Sequence, residues 1–259
     1  MTETAGTVRK PAEHTGIQTR GLSRDGIKYI AMVTMLLNHI STIFMESGSV
    51  MAEVFLDIGY FTAPVMCYFL AEGYQYTHSK RKYGCRLALF ALISEFPYCL
   101  AFTTEGVIEF AGMNMIFTLL LCFCILCVVD RVSGRLARVL AVAGLILLSS
   151  ISDWALLARV FTLLFAWAGR SRQKTAAAFG IAVLLFGLLN YEGGVGRFPV
   201  GINLLYTLGC MAGVALAGIV IVCLYNGKRM KKGRQFSKWF FYLFYPVHLL
   251  VLGVIRVLG

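Results

Sequence analysis

Apolar runs of about twenty residues, recurring nine times with short polar breaks, leave this chain few ways to fold. They fall at 27–46, 54–76, 84–103, 113–130, 135–151, 153–169, 174–190, 203–226 and 236–257. Crossing a hydrocarbon core takes about 20 largely apolar residues in a helix. Nine such helices and their loops use nearly all of the 259 residues. Hydrophobic residues make up 58% of the chain and charged residues 14%, too few charges for a surface exposed to water. The predicted fold is all-α: a polytopic transmembrane helical bundle forming one domain over 27–259. Residues 1–26 read as a disordered cytoplasmic tail. They lack the apolar stretch of a secretory signal peptide.

The loop charges test this parse independently, because cytoplasmic loops collect Lys and Arg. Basic residues occur in the tail (Arg9, Lys10, Arg20, Arg24, Lys28) and the second loop (Lys80, Arg81, Lys82, Arg86). They recur in the fourth (Arg131, Arg135, Arg138), the sixth (Arg170, Arg172, Lys174) and the eighth (Lys228, Arg229, Lys231, Lys232, Arg234, Lys238). Of the 24 Lys and Arg residues, Arg159, Arg197 and Arg256 alone lie elsewhere. The intervening loops carry Glu46, Glu53 and Asp57, then Glu105 and Glu109, then Asp153, then Glu192. This alternation places the N-terminus inside and the C-terminus outside. It also accounts for the net charge of +11 without nucleic acid, for which no binding motif is present.

The eight cysteines lack the paired spacing with His that a zinc site uses, so they read as packing residues and no metal is expected. Small residues at Gly209 and Gly213, and at Ala176 and Gly180, read as helix-contact steps.

Ionisable residues within apolar runs are costly in lipid and therefore informative, at about 2.5–3.5 kcal/mol each at a helix centre. His39, Glu95, Arg159 and His248 stand out. Counted from Lys28, Arg86 and Lys238, the residues His39, Glu95 and His248 lie roughly 14–16 Å deep, near one level. Arg159 lies roughly 9 Å below the outer edge. Eleven residues separate Lys28 from His39, which returns them to one helix face. A cation at the mouth, an apolar track through Met32, Met35 and Leu36, and a deep imidazole suit a long anionic ligand. An acyl-coenzyme A has that shape, with its phosphates at Lys28 and Arg24 and its thioester near His39. Histidine can take a proton from an attacking amine or hydroxyl near neutral pH. Glu95 can orient it if the helices meet. His248 is either a second functional group or the partner of a carbonyl freed by Pro246. Glu72 is a mouth residue or a helix-end charge. Asp153 is a candidate N-cap of the sixth span.

The same residues carry a family resemblance. The segment from Ile27 to Ile40, Ala71-Glu72-Gly73, Arg86-Leu87 through Ser94-Glu95-Phe96-Pro97, Ser152-Asp153-Trp154, and Phe241 through Leu249 together resemble the TraX family. The likeness extends from about residue 22 onward. It implies kinship with the acyltransferase-3 group, which moves acyl groups from acyl-coenzyme A to extracytoplasmic acceptors; the family's namesake N-acetylates conjugative pilin. That wider group uses Arg, ten residues, then His in its first helix, and Lys28 and His39 reproduce the spacing. Two departures are Asn38, where the family has Asp, and Gly59-Tyr60, where it tends to have Arg after the glycine.

The reading that follows is an acetyl- or acyltransferase of a bacterial-type cytoplasmic membrane. His39, Glu95 and His248 are its catalytic candidates. Lys28, Arg24, Arg86 and Glu72 are its acyl-coenzyme A contacts, and Arg159, Asp153 and Tyr60 line its acceptor site. The acceptor is an amine or hydroxyl on a protein N-terminus, glycan or small molecule. A proton-coupled transporter and a non-catalytic membrane assembly protein are the competing readings.

Overall fold

The computed structural model describes residues 21–103, 109–154, 156–230 and 232–258. The expected tail over 1–20, with Arg9, Lys10 and Arg20, lies outside them, as do Glu105 and Lys231. The described residues form helices with no strand beyond two isolated bridges.

Helix α1, Arg24–Phe44, starts three residues earlier than expected, because Ser23 caps it by accepting from the Gly26 N–H. Residues 21–23 are likewise ordered, with Leu22 bonding Leu224 and Asn226 through the backbone. The second span is broken into α2, Val50–Gly59, and α3, Thr62–Tyr76. Pro64 explains the break: it has no N–H for the Tyr60 carbonyl, and its ring crowds that position. Helix α4 is Lys80–Phe102, α5 Met115–Arg131 and α6 Arg135–Leu148. Helix α7, Leu157–Ala168, is shorter than the expected 153–169. Helices α8, Arg172–Gly194, and α9, Val200–Ile219, follow, the latter ending in a π-turn over Val220–Leu224. Helix α10, Arg234–Leu258, closes the bundle.

Six segments are long and apolar enough to cross a membrane, with α2 and α3 together making one of them. Helices α5, α6 and α7, at 17, 14 and 12 residues, are shorter than a full crossing. The outer surface carries exposed Leu92, Phe96, Leu136, Leu147, Leu184 and Leu205 on four helices, α4, α6, α8 and α9. A soluble monomer rarely exposes so much contiguous apolar surface, whereas lipid accepts it. The chain is a multi-pass membrane protein.

The core forms around α3, whose Val65, Cys67 and Phe69 are buried against α1, α5 and α7. The basic segments gather at one end. Lys80 pairs with Asp130 at 2.7 Å, Arg170 lies over the Tyr76 ring, and Arg24 donates from its backbone to the Lys228 carbonyl. By the charge rule this end faces the cytoplasm.

Glycine decides two close approaches. A Cβ at Gly209 or Gly213 of α9 would collide with Asp57 of α2, so that step is a helix contact as expected. The Ala176–Gly180 step is not: Gly180 is exposed and meets nothing, because α8 turns Gly187 toward Met211 and Phe179 toward Gly218 instead. Gly59 lies so close to Asn38 of α1 that a side chain there has no room.

Candidate functional site

A cavity of about 560 Å³ opens at the cytoplasmic end. Seven cations line it: Arg24, Lys28, Lys82, Arg86, Arg229, Arg234 and Lys238. Asp25 is its one lining carboxylate, and that group accepts the Met230 N–H at 2.8 Å. Among the described residues, Arg24 alone of the seven has a carboxylate ion-pair partner, Glu72 at 3.5 Å. Arg24 also donates to the Phe69 carbonyl, and Glu72 accepts from the Tyr225 hydroxyl at 2.8 Å. Glu72 is therefore a brace for Arg24 behind the wall, not a cavity group as expected. Its charge is spent on the Arg24 guanidinium, about one turn from the end of α3.

Lys28 sits over the Phe69 and Phe241 rings, at 5.8 and 5.0 Å from their centres. This cation–π seat holds an ammonium without neutralising it. Arg86 rests near Tyr83, and its Nε is buried with no hydrogen-bond partner. A buried N–H without an acceptor costs about 1–3 kcal/mol, a cost that an anionic ligand removes. So many cations around one hollow, with few carboxylates to neutralise them, give it a strongly positive lining. Sequence reasoning assigned Lys82, Arg229, Arg234 and Lys238 to topology alone. The charge cluster was visible in the loop, but only the fold turns it onto the cavity.

Beyond the cations, Met32, Met35, Met66 and Phe241 line the cavity, as do Met115 and Tyr245. Tyr245 accepts the Met115 N–H at 3.2 Å, so its ring ties α10 to the start of α5. Immediately behind lie His39 and His248, outside the lining. Their rings are nearly coplanar, with 4° between planes and centres 5.1 Å apart, and meet edge to edge with His39 Nδ1 2.8 Å from His248 Nε2. His248 Nδ1 lies 2.7 Å from the Phe244 carbonyl, whereas the carbonyl that Pro246 leaves without its N–H is that of Tyr242, so the ring does not make the expected pairing with a freed carbonyl. The Tyr245 ring lies in a T-shaped arrangement with both imidazoles. Phe102 flanks His39 and Phe244 stacks on His248. The two histidines thus meet at one depth, the juxtaposition the sequence left open.

Glu95 does not join them. Its Oε2 accepts from the Asn114 side chain at 2.6 Å and from the Asn114 N–H at 3.3 Å. Asn114 in turn caps α5 by accepting from Ile116 and Phe117. The positive end of α5, with its unpaired N–H groups, draws the carboxylate there. Glu95 is a structural acid at a helix start, beside a small lipid-facing groove.

The three acceptor candidates, Tyr60, Asp153 and Arg159, gather around Trp154 rather than around a cavity. Tyr60 packs against Trp154 and Phe186. Arg159, 1% exposed, donates to the Ser152 hydroxyl at 2.8 Å and the Trp154 carbonyl at 3.2 Å. It pins the loop ahead of α7, and its burial closes it to an acceptor. Trp154 takes a positive φ of 54°, costly for a bulky side chain, and these contacts hold it there. Asp153 does not cap α7, which begins four residues later; its carbonyl accepts from Thr118 at 2.6 Å.

Burial pushes the Asp153 carboxyl up from 3.8 to about 6. An acid with a raised pKa binds its proton more tightly folded than unfolded. Its contribution favours the fold below about pH 4 and is lost as pH rises through 6. Asp153→Asn is therefore expected to raise the thermal midpoint at pH 7.5 and to change it little near pH 4, read by melting in detergent at both values.

These features define a multi-pass membrane protein with a cation-lined cytoplasmic cavity backed by a buried histidine pair. The TraX protein family matches residues 23–256, and the chain belongs to that family. It is 29% identical over 238 residues to the probable fimbrial assembly protein FimC, serogroup H1, of Dichelobacter nodosus, an alignment covering 87% of this chain and 92% of that protein. No solved structure matches the chain.

Proposed function

We propose that the protein is an acyl-coenzyme A-dependent acyltransferase of the bacterial cytoplasmic membrane. The observation that carries this is the cavity: an unpaired set of cations at the mouth, a methionine- and aromatic-lined passage, and an imidazole pair just past its floor. The phosphates of coenzyme A neutralise Lys28, Lys82, Arg86, Arg229 and Lys238, and the pantetheine arm follows Met32 and Met35 inward. Met35 lies one helical turn before His39 on the same face. Its unbranched side chain is the flexible part of the floor, and its rotation brings the thioester to His39.

A neutral acceptor amine attacks the thioester carbonyl carbon. The C–N bond forms, the C–S bond breaks, and coenzyme A leaves as the thiolate. His39 takes the amine proton and returns it to sulfur. The similarity to a fimbrial assembly protein supports a protein amine, on a surface-filament subunit, as acceptor, reached from the outer side.

Calorimetric titration of coenzyme A into the detergent-purified protein tests the donor site. Arg86→Ala is expected to weaken binding by about 10–100-fold, the worth of a charge-assisted hydrogen bond. Wild-type affinity is expected to fall with added salt. Unchanged affinity in Arg86→Ala, or no binding by the wild type together with proton-driven solute flux in vesicles, would overturn the reading in favour of a transporter.

A further inference from the structure

The hydrogen bonds around the histidine pair determine which nitrogen of His39 is free. The Phe244 carbonyl can only accept, so His248 Nδ1, 2.7 Å away, carries a proton. A neutral imidazole has one donor and one acceptor, which leaves His248 Nε2 as a lone pair. His39 Nδ1, 2.8 Å from that lone pair, is then the N–H donor. His39 Nε2 is left with its own lone pair and no hydrogen bond to any described residue. Phe244, stacked on His248 at 4.7 Å between ring centres, holds the relaying ring in place.

We infer that His248 is a positioning residue: it locks His39 in the Nδ1–H tautomer and thereby presents the His39 Nε2 lone pair as the base. This rests on the acyltransferase reading. It divides labour between two residues that are alike in type, depth and burial. His248 has no nitrogen left to give, since one donates to a backbone carbonyl and the other accepts from His39. When His39 Nε2 takes the acceptor's proton, the resulting imidazolium keeps its Nδ1–H on the His248 lone pair. Its charge is therefore stabilised where it forms. The pair takes up one proton at a time, because a second would set two N–H groups against each other. The arrangement places imidazole and carbonyl where a carboxylate orienter stands in other His-based sites, with no full negative charge in the membrane.

Two measurements test it. In ¹⁵N-histidine spectra of the full chain in lipid vesicles, His39 is expected to show a protonated Nδ1 and an unprotonated Nε2. His248→Leu is expected to shift His39 toward the Nε2–H form. A wild-type His39 with its proton on Nε2 would overturn the inference without any assay of activity. In acetyl-coenzyme A turnover, His248→Leu is expected to lower kcat by about 100-fold or more with KM for acetyl-coenzyme A unchanged. His248→Gln, whose amide oxygen can accept from His39, is expected to recover to within about tenfold of wild type. Equal loss in a folded Gln variant, or undiminished kcat in the Leu variant, would also overturn it. Absence of transfer by the wild type sinks the acyltransferase reading, and the spectrum still decides the tautomer.

Discussion

Replacing His39 by Ala is expected to lower acyl transfer by about 10²–10⁴-fold, the usual worth of a positioned general base. Coenzyme A affinity should stay within about twofold, because the cations proposed to hold its phosphates line the cavity and His39 is not among the lining residues. The measurement is label transfer from acetyl-coenzyme A in proteoliposomes, paired with calorimetry on the same preparation. The split matters more than the loss. If affinity falls with activity, His39 serves the fold of α1 and the chemistry lies elsewhere. If turnover survives, the base is another group. The His248 variants then separate base from orienter, since both rings are buried and contact each other at 2.8 Å.

The second large effect concerns the fold. Gly59→Leu is expected to destabilise the protein by about 1–3 kcal/mol or more, the cost of overpacking a rigid contact. The added side chain would meet Asn38, which is on the neighbouring helix and donates to the Leu56 carbonyl. Helices α1 and α2 must then separate, and Asn38 immediately precedes His39. Gly180→Leu is the matched control, because Gly180 faces outward with nothing near it. Its thermal midpoint should be within the small change typical of surface sites, about 0.5 kcal/mol. Equal behaviour of the two variants in detergent melts would remove the close approach as a structural requirement.

Asn38 and Gly59 also explain the two departures from the family pattern noted in the sequence. Asn38 points to α2 rather than to His39, as its position 100° around the helix requires. Tyr60, following Gly59, fills an aromatic contact with Trp154 and Phe186. Neither touches the cavity. The acceptor candidates fail for one shared reason. Arg159 lies within a helix and Asp153 in the loop before it, and ionisable groups in such apolar surroundings are either functional or tied into hydrogen bonds. Periodicity does not distinguish the two. Glu95 failed likewise, because its partner Asn114 is nineteen residues away and on another helix.

The chain alone determined that it lives in lipid, how its spans alternate, and which end collects positive charge. Those properties follow from apolar length and loop composition, which are local and additive along the sequence. The Lys28–Met32–Met35–His39 stripe was legible for the same reason, since helical period is fixed by backbone geometry. Tertiary structure alone decided that His248 meets His39, that Glu95 does not, and that three cations of the last loop segment, Arg229, Arg234 and Lys238, join those of α1 and α4 around one cavity. Those facts depend on how helices far apart in sequence pack and rotate against one another. That packing is set by contacts such as Gly59 on Asn38 and Tyr245 on Met115, which no local pattern encodes.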